Sequence, residues 1–175
     1  MGSVEIIILV VSILAGIYLL LVLVGVLFIY AFSRIFRKHN AALGVMLHTK
    51  YDNIKKMLDI MNKYNINVPY KYIETINGIN VSSFKDQQLE ECVKGRNSLS
   101  YLRNELAYMA SSNELINKNN ELIRAMNAIT EMDSNYRTLV AMYNADVLGY
   151  NYWINYLPTK YFKYIFKFKE KQIIS

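Results

Sequence analysis

Residues 6–32, IIILVVSILAGIYLLLVLVGVLFIYAF, hold no charge at all, and the only polar side chains among them are Ser12, Tyr18 and Tyr30. A bilayer core about 30 Å thick needs roughly 20 helical residues, so these 27 span it with some tilt to spare. A secretory signal has a shorter apolar core of roughly 7–15 residues after a positive region. Here Glu5 precedes the run and no small-residue cleavage site follows it. The run also exceeds an ordinary buried core helix. We therefore expect an uncleaved transmembrane anchor. It contains nothing ionisable, so it offers no proton relay or ion path. Gly16 and Gly25 are nine apart and make no GxxxG face.

The flanks suggest an orientation. Arg34, Arg37 and Lys38 follow the run, and only the initiator Met1 and Glu5 precede it. The positive-inside tendency predicts a single-pass cell-membrane protein with its C-terminal domain in the cytoplasm. The expected partition is a short extracytoplasmic start (1–5), the span (6–33), a helical domain (34–158) and a basic aromatic tail (159–175). Met1-Gly2-Ser3 resembles the start of a myristoylation signal, but Ile6 stands where Ser or Thr is wanted.

Beyond the span the apolar period is helical, and only 7 Gly and 2 Pro interrupt the chain. In residues 43–64, Leu43, Leu47, Ile54, Met57 or Leu58, and Met61 recur at three- and four-residue steps. Only Gly44 weakens continuity with the span, so one long helix through both is possible. Residues 84–111 carry Leu89, Cys92, Leu99, Leu102, Leu106 and Met109, with Ser82 or Ser83 as N-cap and Asp86 in the first turn. Residues 65–83, with Pro69, Gly78 and several Asn, read as a loop or short helical piece. The third segment runs Leu115, Leu122, Met126, Ile129, Tyr136, Val140, Tyr143, Val147, Tyr150, Ile154, Leu157, with steps missing at Asn119 and Asp133. Asn113 is its expected N-cap and Pro158 its end. The expected fold class is all-α: the transmembrane helix followed by an antiparallel up-and-down bundle of three to four long helices.

The motif Tyr143-Asn144, Val147, Tyr150-Asn151, Ile154, then Leu157-Pro158, resembles the double-YN signature of the LemA family. Asn113-Glu114-Leu115-Ile116-Asn117 resembles that family's entry to the same helix. Lys50-Tyr51-Asp52-Asn53-Ile54 resembles its segment before the first turn, and Leu89 through Arg96 its second helix. Residues 166–169, FKFK, resemble its tail. The resemblance covers about residues 40–171 and implies a four-helix bundle on one membrane anchor with no established enzymatic activity. It departs at Leu157, Val140 and Asp133, where the family usually has Phe, Arg and Glu.

Tyr143-Asn144 and Tyr150-Asn151 lie two helical turns apart and share a face. Each ring can fill the core with its hydroxyl at the edge, and each Asn can bond across helices and set register. The alternative is a polar groove that recognises a peptide or a neighbouring subunit. His48 and Asp52 are one helical turn apart, but two ligands do not make a structural zinc site, and His39 lies among basic residues. Cys92, the only cysteine, falls on an apolar stripe and reads as inert core. Glu90, Glu91, Glu105, Glu114, Glu121, Glu131 and Asp133 fall between stripe positions, where a solvated face is expected. No phosphate loop or nucleophile–base pair is present. Neither a catalytic site, a cofactor nor a metal is expected.

The positive charge behind the net +6 is spread along the chain, as on a solvated surface, apart from a juxtamembrane cluster and the tail. In the tail, Lys160, Lys163, Lys167 and Lys171 can share one helical face and Tyr161, Tyr164, Ile165 and Phe168 another, as in an interfacial helix. Equally, the tail can fold onto the bundle with its lysines in solvent. The functional expectation is a non-catalytic scaffold acting through protein contacts, with itself or with another membrane-associated protein. The alternative is a lipid-surface or membrane-shaping module. Membrane lipids are the expected second partner; nucleic acid and small-molecule substrates are not expected.

Overall fold

A computed structural model describes residues 2–86, 89–156 and 158–174, with backbone alone for 85, 86, 89 and 90. The roles expected of the Asp86, Leu89, Glu90 and Leu157 side chains lie outside the described residues. The elements are α1 (Ser3–Lys63), α2 (Tyr70–Asn77), α3 (Ser82–Asp86), α4 (Leu89–Ser111), α5 (Glu114–Asn117), α6 (Asn120–Asn155) and a 3-10 turn (Thr159–Phe162). Among the described residues there is no strand. The apolar run and the segment after it form one helix of 61 residues, long and apolar enough to cross a membrane.

Helix α1 stops where a left-handed residue closes it. Asn65 takes φ 54°, which Asn tolerates better than most residues. Its N–H reaches the Asn62 carbonyl at 3.0 Å and the Ile66 N–H reaches back to Met61 at 3.0 Å. These are the two bonds of a Schellman cap.

The contacts divide the chain into two compact units, Met1–Lys38 with Met142–Ser175, and His39–Ala141. Helices α1 and α6 contribute to both, so contact groups the chain differently from the compositional boundaries at 33 and 158.

In the His39–Ala141 unit the expected stripe of α1 is buried at Leu43, Leu47, Ile54, Met57, Leu58 and Met61. Buried in the same unit are Leu99, Leu102 and Leu106 of α4 and Leu122, Ala125, Ile129 and Tyr136 of α6. Helix α6 runs opposite to both α1 and α4, so α1 and α4, which meet at Lys50 and Ser100, run parallel to each other. Lys50 meets Asp133 and Tyr64 meets Asn119, so α1 and α6 are antiparallel. Arg103 of α4 bonds Thr130 and Arg96 covers the Tyr136 ring, so α4 and α6 are antiparallel too. Short α2 is fastened to α4 by Tyr72, whose hydroxyl donates to Glu105 Oε2 at 2.5 Å. Gly44 is no weak point in α1. A Cβ there would collide with the Phe84 carbonyl of α3, so its missing side chain admits another backbone.

Three local expectations are corrected. Ser82 and Ser83 are not N-caps: both are helical, and their hydroxyls bond back to Asn80. The third segment is not one helix from Asn113. Asn113 caps four-residue α5 through the Leu115 N–H, and Asn119 restarts the chain as α6 by accepting from the N–H groups of Glu121 and Leu122. The restart changes register, so Leu115 is exposed and Ile116 takes the core position.

In the other unit, Val22, Ile29 and Phe36 of α1 are buried, while residues 3–21 are exposed throughout. Phe28 stacks on Trp153 with centroids 4.7 Å apart, and Phe36 meets Tyr143 and Tyr150 edge-on. Here too α1 and α6 are antiparallel. Gly149 lies against the Phe32 ring, 2.7 Å from where a Cβ would stand.

Candidate functional site

The double Tyr-Asn motif is a clasp for the chain's own tail. Tyr143, Val147, Tyr150 and Ile154 are buried along one face of α6, as their spacing requires. Beside them the Asn144 side chain makes a pair of bonds to Ile174: its Nδ2 donates to the carbonyl and its Oδ1 accepts from the N–H, both at 2.8 Å. Asn151 does the same with Lys171, at 2.8 and 2.9 Å. A primary amide offers the donor and acceptor that a neighbouring strand would offer, so each Asn imitates one residue of a β-ladder.

The tyrosines complete the repeat. The Tyr143 hydroxyl donates to the Gln172 carbonyl at 3.2 Å, and the backbone of Lys169 hydrogen-bonds Tyr150. The first Tyr-Asn pair thus holds residues 172 and 174, and the second holds 169 and 171. Seven helical residues rise about 10.5 Å and three extended residues cover about 10 Å, so the two periods match. The tail runs antiparallel to α6. Burial raises the pKa of both tyrosines, and for Tyr150 the bond from the Lys169 backbone opposes the rise. The asparagines were expected either to bond across helices or to line a groove for a peptide. They bond the tail backbone and do not cross to another helix.

The tail is therefore not the lysine-faced helix that its spacing allowed. Buried Pro158 leads into the 3-10 turn, and Thr159 Oγ1 bonds the Trp153 and Tyr156 carbonyls. At Lys167 the backbone turns through φ 53°. Lys163 and Glu170 close the loop at 3.0 Å, and Asn155 bonds both. The Asn155 and Lys163 partners hold the Glu170 carboxyl below its ordinary pKa. Lys160, Lys167 and Lys171 remain exposed, as do Arg34, Arg37 and Lys38 on α1.

A second polar site lies in the His39–Ala141 unit. Lys50, buried to 2% exposure, bonds Asp133 Oδ1 at 2.6 Å and Ser100 Oγ at 3.0 Å. Desolvation lowers its pKa, and the bond to Asp133 opposes the fall. Lys50 fills the missing step between Leu47 and Ile54, and Asp133 the missing step between Ile129 and Tyr136. Two gaps in two apolar stripes are the sequence signal of a buried ion pair. Arg96 stacks beside it, 4.6 Å over the Tyr136 ring.

The remaining candidates stay separate. Asp52 bonds His48 Nδ1 at 3.1 Å, and Lys55 lies over the Tyr51 ring. Burial, with Glu91 nearby, pushes the Cys92 thiol up and so disfavours thiolate. Among the described residues no three of His, Cys, Asp and Glu come together as metal ligands. Between α1 and α6 of the same unit lies a groove of about 600 Å³, floored by Ile60, Ala125 and Ala128 and rimmed by Lys56, Asp59, Lys63, Glu121 and Arg124. No family model matches the chain, and no curated protein or solved structure matches it either.

Proposed function

We propose that this chain is a non-catalytic, membrane-anchored helical scaffold of the LemA type that acts through protein contacts, first with further copies of itself. The observation that carries the reading is the unbroken helix α1. It starts as an exposed apolar face and ends as the core helix of a packed helical unit. Apolar side chains left in water along residues 3–21 would each cost about 1.5–3 kcal/mol, so lipid is their natural surrounding. The groove at Ile60 and Ala128 supports self-association. Its rim carries both charge signs around an apolar floor, as a two-fold, self-complementary contact needs.

Alkaline carbonate extraction tests the anchor, and crosslinking in native membranes tests the self-contact. The expected result is retention in the pellet and a crosslinked dimer that Ala128→Arg abolishes without changing the circular dichroism. Monomers alone at every expression level would overturn the self-contact. Protease protection in sealed vesicles tests the cytoplasmic placement of the domain.

A second reading, a lipid-surface module, is supported by the tail itself. Tyr161, Tyr164 and Ile165 are left exposed in the same unit as the apolar run.

A further inference from the structure

We infer that residues 161–166 form a membrane-insertion loop, preformed beside the span, whose aromatic side chains enter the head-group boundary of an anionic bilayer. The inference rests on the anchor reading above and adds a depth, a conformation and a lipid class to the second one.

Depth follows from length. The uncharged residues before the first buried position, 6–21, make about 24 Å of helix, whereas a hydrocarbon core is about 30 Å thick. About four further residues, reaching Gly25, therefore lie in the core. Gly25 touches the Thr159 methyl, and Phe28, about 4.5 Å farther along the helix, stacks on Trp153. Tyr30 meets Phe168 edge-on, with centroids 5.9 Å apart. The end of α6 and the tail thus sit at the level where the hydrocarbon ends. Trp and Tyr concentrate at that depth because an apolar ring and a polar atom are both satisfied there.

Conformation follows from the clasp. The tail is tied back at Lys171 and Ile174 by Asn151 and Asn144 and closed by Lys163 with Glu170, so the intervening chain protrudes as a loop. At its tip Tyr164 is 85% exposed and Ile165 70%. A loop already shaped loses little entropy on insertion. Lipid charge follows from Lys160, Lys167 and Lys169, which stay exposed around the tip. Each lysine near an anionic surface contributes about a fivefold preference for it.

The only tryptophan is Trp153, so Trp153→Phe with Tyr164→Trp places one fluorophore at the tip of the full chain. This protein is reconstituted into phosphatidylcholine vesicles containing phosphatidylglycerol. Either lipid is brominated near the carbonyls at equal mole fraction, and iodide serves as the aqueous quencher. The expected result is stronger quenching by bromolipid than by iodide, and stronger quenching by the brominated phosphatidylglycerol. Adding Lys160→Glu, Lys167→Glu and Lys169→Glu should remove that last difference. A fluorophore open to iodide and untouched by either bromolipid would overturn the inserted loop while the anchor stood. Equal quenching by the two lipids would overturn the anionic preference. A chain that fails to float with the vesicles would overturn the anchor reading and this inference with it.

Discussion

At Lys50 the ammonium group is almost wholly enclosed, while the carboxylate of Asp133 keeps two-fifths of its surface accessible. The two halves of the pair therefore respond differently to removal. Without Asp133 a cation stays buried with Ser100 as a neutral partner and the Arg96 and Arg103 charges nearby; without Lys50 the carboxylate turns to water. We expect Asp133→Ala to destabilise the protein by about 3 kcal/mol and Lys50→Met by about 1 kcal/mol or less, read from denaturant midpoints in detergent. Equal losses would show that the pair is solvated. Glu170 gives a pH dependence whose sign is set by its lowered pKa. The contribution it makes is complete above 4.5, its ordinary value, and is lost as pH falls below that. Trypsin cannot follow this at acid pH, but amide exchange can. Tail amides should exchange faster than the α6 amides below this point, after correction for intrinsic rate, and Glu170→Gln should abolish the change.

At the scale of an element, the tail segment is held by bonds that α6 supplies from one face. Each asparagine makes two of them, together about 1–3 kcal/mol. We expect Asn144→Ala with Asn151→Ala to free the tail and leave α6 helical. Trypsin should then cleave at Lys167, Lys169 and Lys171 faster than in the parent chain, with unchanged circular dichroism. Cleavage at the parent rate would remove the clasp as the tether. Helix α1 has the opposite sensitivity, to added bulk. Alanine is normally better than glycine within a helix by about 1 kcal/mol. At Gly44 the new methyl meets the backbone of Phe84, which cannot swing away as a side chain can. Gly44→Ala should therefore destabilise by about 1–3 kcal/mol. A rise in melting temperature would show that α3 yields.

For the whole molecule, one helix carries an exposed apolar part long enough to cross a membrane and a second part buried against protein. A proline at Ala42 removes a backbone bond and strains the preceding turn, at about 3 kcal/mol. The bonds within residues 6–32 are intrahelical and lie before it. Ala42→Pro should thus lower the melting temperature while leaving carbonate resistance unchanged. Loss of both would mean that the span depends on the continuity of α1.

What could be read from the residues alone was periodic or long: the uncharged run, the three-and-four stripes of α1 and α6, and the shared face of Tyr143 and Tyr150. These follow from one helix and its solvent, lipid or core, and need no neighbour. The ion pair was half legible, as gaps at Lys50 and Asp133, because a gap marks a polar core position without naming its partner. The close approach at Gly44 and the tail clasp were decided only in three dimensions. Each depends on which backbone lies opposite, and an asparagine that pairs with an extended chain 20 or 30 residues away leaves no local trace in the sequence.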